Sequence, residues 1–251
     1  MLLLPAILLS LATPIGPSPA DGEALLREIN AAHRATWFRS FVFVQRTTYP
    51  GQPGRPDETW YETMARPGFL RIDMEHGDSA IGRMIFRNDS LYQAAPGQPA
   101  RGGRPMVHAL LVLLHDIHVG DIDAAIGKLK AQGFDLATTG TTTSEGQAVT
   151  IVGATAGDSS KAQFWVDPAR QVVVRVLQPT PNGVSDTRMT RFSDTGSGLV
   201  ERQIEFRANG SVRLGEEYTW IEVGTPIDMA VFEPGHAALP AWVTARKAAM
   251  K

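Results

Sequence analysis

Cysteine is absent from the 251 residues. That absence removes disulfides, thiolate metal sites, cysteine nucleophiles and iron–sulfur clusters together. Charge of one sign is also lacking. Lys and Arg total 24 against 26 Asp and Glu, for a net of −2, so nothing in the charge balance points to nucleic acid. No apolar run is long enough to span a bilayer as a helix. No βαβ alternation occurs, which argues against a doubly wound sheet. No repeat of 20–50 residues occurs either, which argues against a propeller or solenoid.

What is present begins with a leader. Met1 to Ala20 reads as a signal peptide, with Leu2-Leu3-Leu4 and Ile7-Leu8-Leu9 as a short apolar core and Ser18-Pro19-Ala20 as the cleavage region. No Lys or Arg precedes that core, so only the α-amino group carries the usual positive charge. Pro5, Pro14, Pro17 and Pro19 oppose a buried helix instead. No Cys follows, so a lipidated mature N-terminus is excluded. The expectation is an exported, periplasmic chain, monomeric, with residues 21–251 as one domain held by its core alone.

Periodicity then changes several times. Glu23 to Thr36 predicts a helix with Leu25, Leu26 and Ile29 on one side and Asp21 as its cap. Trp37 to Tyr49 is β-prone, with Phe41 and Phe43 alternating against Val42 and Val44. Glu58 to Ala65 carries Trp60. Phe69 to Glu75 places Leu70, Ile72 and Met74 on one face and Arg71, Asp73 and Glu75 on the other, the pattern of a strand wet on one side. Gly82 to Arg87, with Phe86, and Ser90 to Ala94 form a hairpin about Asn88-Asp89.

A Pro/Gly-rich loop follows, and the period returns to helical. Pro105 suits a first turn. Met106, Leu110, Leu113, Leu114 and Ile117 share one side of a helix running to Val119. Ile122 to Lys130 predicts a second short helix stopped near Gly133. Strands resume over Phe134–Thr141, Ala148–Ala154, Ala162–Val166, Val172–Leu177, Thr187–Phe192, Val200–Arg207 and Arg213–Glu222, with a strong turn at Asn209-Gly210. Eleven or twelve strands make a sheet that must curl or split, and a curled sheet encloses space.

Five segments, in order, resemble the LolA-like family of periplasmic lipoprotein-carrier folds. They are Phe41-Val42-Phe43-Val44-Gln45-Arg46, Ala65-Arg66-Pro67-Gly68-Phe69-Leu70-Arg71-Ile72-Asp73, Met84 to Tyr92, Phe164-Trp165-Val166-Asp167 with Val172-Val173-Val174-Arg175, and Ala230-Val231-Phe232-Glu233-Pro234. The resemblance implies a mainly β fold: an unclosed antiparallel β-barrel of about eleven strands with a helical lid or plug. It implies an apolar cavity for the acyl chains of a lipoprotein. It also implies that Arg66, in the family's Arg-Pro motif, latches the lid to the barrel, and that the following strand lines the cavity. The expected lipid-binding residues are Phe41, Phe43, Trp60, Leu70, Ile72, Met74, Phe86, Met106, Leu110, Leu113, Leu114 and Ile117. The segment Gly120 to Gly133 and the tail after Pro234 depart from the compact carriers.

Chemical motifs are weaker. His108, His115 and His118 fall within about 80° of one another around a helix and could ligate zinc with Asp116 or Asp121. A polar edge on a lid helix is the favoured reading, because no His-Glu-x-x-His pattern supplies a base, and a protonation switch is a third reading without a named partner. Asp194-Thr195-Gly196-Ser197 resembles an aspartic-protease motif, but that chemistry needs a second copy. Gly77-Asp78-Ser79 and Gly157-Asp158-Ser159 are ordinary turn chemistry. Neither a cofactor nor a metal is expected, and the chain is read as a non-enzyme that binds lipid or lipoprotein acyl chains. The alternative is a structural module whose convex sheet docks an envelope membrane-complex partner, and a hydrolase using Asp194 or a His-bound metal comes third.

Overall fold

Asn88 and Asp89 both adopt positive φ, 48° and 53°, and so make the two-residue turn that suits the right-handed twist of a hairpin. They join β4 (Ser79–Arg87) to β5 (Ser90–Ala94), with Arg87 opposite Ser90. Asn209 and Gly210, at 50° and 80°, do the same between β14 (Gln203–Ala208) and β15 (Ser211–Val223). Such local turns generate most of the architecture. The computed structural model describes residues 21–249. The leader, Met1 to Ala20, lies outside them.

The chain opens with α1 (Gly22–His33), whose first turn is capped by Asp21 accepting from the Ala24 N–H at 2.8 Å. Next come β1 (Ser40–Thr48), β2 (Glu58–Ala65) and β3 (Phe69–His76), then the β4–β5 hairpin and a two-residue β6 (Arg104–Pro105). The helical segment α2 is a π-helical turn, Leu111–Asp116, running into an α-helical turn, Ile117–Val119. The helix α3 (Ile122–Ala131) follows, capped by Asp121. Then come β7 (Thr139–Ser144), β8 (Gln147–Val152), β9 (Gln163–Asp167), β10 (Val172–Thr180) and β11 (Gly183–Thr190). A small hairpin, β12 (Ser193–Asp194) with β13 (Leu199–Val200), precedes β14 and β15. The chain ends in a 3₁₀ turn, Met229–Phe232, and α4 (Ala241–Ala249).

Thirteen of these strands form one antiparallel sheet in the order β6-β5-β4-β3-β2-β1-β15-β14-β11-β10-β9-β8-β7. Its edges, β6 and β7, do not meet, so the barrel is unclosed. At its centre β1 pairs with β15, joining sheet halves from opposite ends of the sequence. Helices α1, α2 and α3 pack on one face: Leu26, Ile29, Leu113, Ile117, Ile126 and Leu129 share a single core with Phe41, Phe43, Leu70 and Phe164.

Several expectations change. Pro105 does not begin a helix. It sits on the edge strand opposite Ser90, where its missing N–H costs no ladder bond, and Met106 is in the connection. Phe134 and Leu136 are buried loop residues rather than strand, and the strand starts at Thr139. The largest change concerns the polar face of β3. Arg71 is fully buried, and Asp73 and Glu75 are buried beside it.

The tail causes that burial. Arg71 makes a two-pronged ion pair with Asp73 at 2.8 and 2.9 Å, then donates to the carbonyls of Val231 and Ala238 at 3.0 and 2.6 Å. Phe232 packs on Phe69 across the sheet's second face. Trp242 of α4 stacks on Trp220 and donates to Thr63 at 2.8 Å, and Lys247 reaches Glu75 at 2.5 Å. The tail, which the sequence marks only as a departure from the compact carriers, is therefore a clamp over the outer face of β2–β4.

Candidate functional site

The helix-facing surface of β1–β5, β14 and β15 does not close onto α2 everywhere. A cavity of about 440 Å³ remains between them, within the size range of small-ligand sites. From the sheet, Phe43, Trp60, Leu70, Ile72 and Phe86 line it; from the lid side, Met106, Leu110 and Leu114 do. Phe41, Leu113 and Ile117 are fully buried between helices and sheet and do not reach it, and Met74 lies beyond its wall. A larger hollow, about 640 Å³, opens at the far end of the sheet, but Thr143, Trp165, Arg170, Arg175 and Arg188 give it a polar, charged wall. The apolar lining makes the smaller cavity the better candidate for a lipid chain.

Among the lining groups not singled out from sequence are the polar residues Glu62, Gln93, Arg104, Glu216 and Tyr218. Glu62 shares a face with Trp60 and Met64 on β2, and Tyr218 with Glu216 on β15, so strand parity could have put each on the inner face. Glu62 is 5% exposed. Burial holds its carboxyl well above the usual carboxylate range, and the neighbouring Glu216 and Glu201 push it the same way. Glu216 keeps some surface because it faces the cavity, but protein surrounds it, and burial raises it to about 8. Buried Glu201, close by, rises to about 7 for the same reason.

The lid is tied down at the turn between β2 and β3. Arg66 Nη2 lies 2.7 Å from His115 Nδ1, and the guanidinium sits over the Phe38 ring, 4.0 Å from its centre. Gly68, in the left-handed region at φ 74°, donates its N–H to Asp116 at 2.9 Å. Two consecutive lid residues thus meet one turn. Asn30 of α1 donates to the Ile117 carbonyl at 2.9 Å, fixing the lid from its other side. Burial lowers Arg66 to about 9 and raises Asp116 to about 6.

The three histidines diverge. His108 meets the Phe86 ring edge-on at 4.9 Å. His115 faces Arg66. His118 stacks on Trp37 at 4.0 Å, with Nε2 3.3 Å from the Gln171 carbonyl. Burial keeps all three neutral: His108 falls to about 4, His118 to about 3, and His115 well below the usual imidazole range. Among the described residues, no three His, Asp or Glu side chains converge as a metal site. Asp194 accepts from the Gly196 N–H at 2.8 Å and Thr195 donates to the Gly198 carbonyl at 2.7 Å, which makes that motif a turn. Asp158 likewise caps its own loop through Ser160.

No family model matches the chain, and no curated protein matches it. Solved structures do. A domain from Vibrio parahaemolyticus assigned by name to outer membrane lipoprotein sorting superposes with a TM-score of 0.59 at 8% identity, covering 84% of this chain and 95% of that one. A DUF1329 family protein from Desulfovibrio piger gives 0.56 at 12% identity, over 87% and 97%. A LolA superfamily protein from Nitrosomonas europaea gives 0.50 at 9% identity, over 84% and 97%. The fold is therefore LolA-like. Among the described residues no helix is long and apolar enough to cross a membrane.

Proposed function

We propose that the protein is a non-enzymatic periplasmic carrier or sensor that holds a lipid, or the acyl chain of a lipoprotein, between the sheet and α2. One observation carries the reading: an apolar cavity of about 440 Å³ roofed by a short helix that is fastened through its C-terminal half, at His115, Asp116 and Ile117. Apolar burial at about 25 cal/mol per Å² gives an acyl chain ample drive to enter. Arg66 and His115 form the latch of that roof. The lipoprotein-sorting name of one structural neighbour and the LolA-like fold of another agree with this class.

Native mass spectrometry after mild purification tests it, together with uptake of a neutral apolar dye that fluoresces on burial. Co-purifying lipid, or saturable dye uptake displaced by lipid, is the expected result. A clean unliganded mass with no uptake refutes the reading. The alternative, a module docking a partner through its convex sheet, has less surface to work with, because the tail already covers β2–β4.

A further inference from the structure

The cavity is not uniformly greasy. Glu62 is more than nine-tenths buried, lines the cavity, and accepts no hydrogen bond among the described residues. A carboxyl in that position is costly unless something pairs with it. Glu216 lines the same wall from β15. Beside them stand three aromatic rings, Phe43, Trp60 and Tyr218, with Phe43 and Tyr218 only 4.3 Å apart between centres. The Trp60 N–H is already donated to Glu58 at 2.8 Å, so Trp60 offers the cavity its ring.

The cations nearby do not answer these carboxyls. Arg66 contacts His115 and Phe38 and is absent from the cavity wall. His108 and His115 line the cavity as neutral imidazoles. Arg104 stands exposed on the edge strand. Glu201, behind the wall and partly offset by Arg66, pushes both cavity carboxyls further toward their protonated forms.

We propose that the cavity selects an amphiphile with a cationic head, an ammonium carried on an alkyl chain, seated between the Glu62 and Glu216 carboxyls and the rings of Phe43, Trp60 and Tyr218. Carboxyls paired with aromatic faces are the chemistry that recognises alkylammonium groups. The chain of the same molecule lies along Leu70, Ile72 and Leu114, and in this respect the inference rests on the cavity reading above. Burial keeps both carboxyls protonated near neutral pH, and a bound ammonium draws them into their ionised forms; a fatty acid gains no such charge pairing.

The test uses the whole mature chain and a neutral dye in the cavity. Dodecyltrimethylammonium, dodecanoate and dodecanol displace it below their micelle concentrations, at a pH above about 8 where the Glu216 carboxyl ionises. The ammonium should displace the dye at about tenfold lower concentration than the carboxylate, and the gap should shrink to within about twofold in Glu62→Gln/Glu216→Gln. Circular dichroism checks that the double variant folds. If it does not, Glu216→Gln alone should narrow the gap. Displacement by all three chains without preference for the cation, or a preference that survives the Gln substitutions, overturns the head-group assignment and leaves the cavity reading intact. Failure of the dye and every chain to bind overturns both.

Discussion

Arg66, in the turn after β2, gives the one hydrogen bond of its guanidinium among the described residues to His115 of the lid, 2.7 Å away. Its Nε and Nη1 have no hydrogen-bond partner among the described residues. A buried guanidinium so sparingly satisfied adds little to stability, and its use lies in holding α2 in place. Replacing Arg66 with Leu should leave the melting temperature within a few degrees of the parent. Hydrogen exchange should accelerate across residues 109–119, and bound lipid should be lost faster. If lid exchange and lipid retention both stay unchanged, Arg66 is no latch.

The His115 side of that contact has a protonation requirement. Arg66 can only donate, so Nδ1 must accept, and burial keeps the imidazole neutral for that role. His115→Gln, whose amide oxygen can also accept, should preserve slow lid exchange. His115→Ala should not. Equal exchange in both variants would show that packing, not the hydrogen bond, secures the lid.

Stability should decline on the alkaline side. Glu201 and Glu216 titrate at about 7 and about 8 in the folded protein, against 4.5 ordinarily, with Glu62 raised as well. The folded state therefore holds more protons than the unfolded state above pH 4.5. Its advantage is complete below that value and is lost as pH rises through about 7 and about 8. Thermal melts should show the loss between these limits, and Glu216→Gln should flatten it. A melting temperature that rises over that interval contradicts the assignment.

The tail should matter for stability. Phe232 is fully buried and packs on Phe69. Phe232→Ala should cost about 3–5 kcal/mol in urea melts. Deleting residues from Pro240 onward should expose Glu75 and Thr63 and lower the urea midpoint. A truncated chain as stable as the parent would show that α4 only rests on the sheet.

The strands were legible where parity and turns are local. Phe41 and Phe43 alternate with Val42 and Val44, and Asn88-Asp89 and Asn209-Gly210 carry their turn chemistry in two residues. Leu70 and Ile72 read as one face for the same reason. Arg71, Asp73 and Glu75 misled because polarity alone suggests water, and here an ion pair and the tail's carbonyls satisfy them instead. Helix α4 was missed because its formation depends on docking Trp242 and Val243 on distant strands. Lid geometry was illegible too: a π turn differs from an α turn by one residue of hydrogen-bond register, which apolar spacing does not resolve. Of the cavity, the apolar wall was readable, whereas Glu62 and Glu216 come together only through the β2–β1–β15 order, which no local pattern encodes.

That order also fixes a timetable. Residues of β1 find their β15 partners some 170 positions later, as between Thr219 and Val44, which are 175 apart. A ribosome delivers the early half-sheet long before its mate exists, and contacts so distant in sequence form slowly. Until residue 223 is free, one flank of β1 stays an open seam. The newborn chain therefore needs shelter or threading until its last quarter arrives.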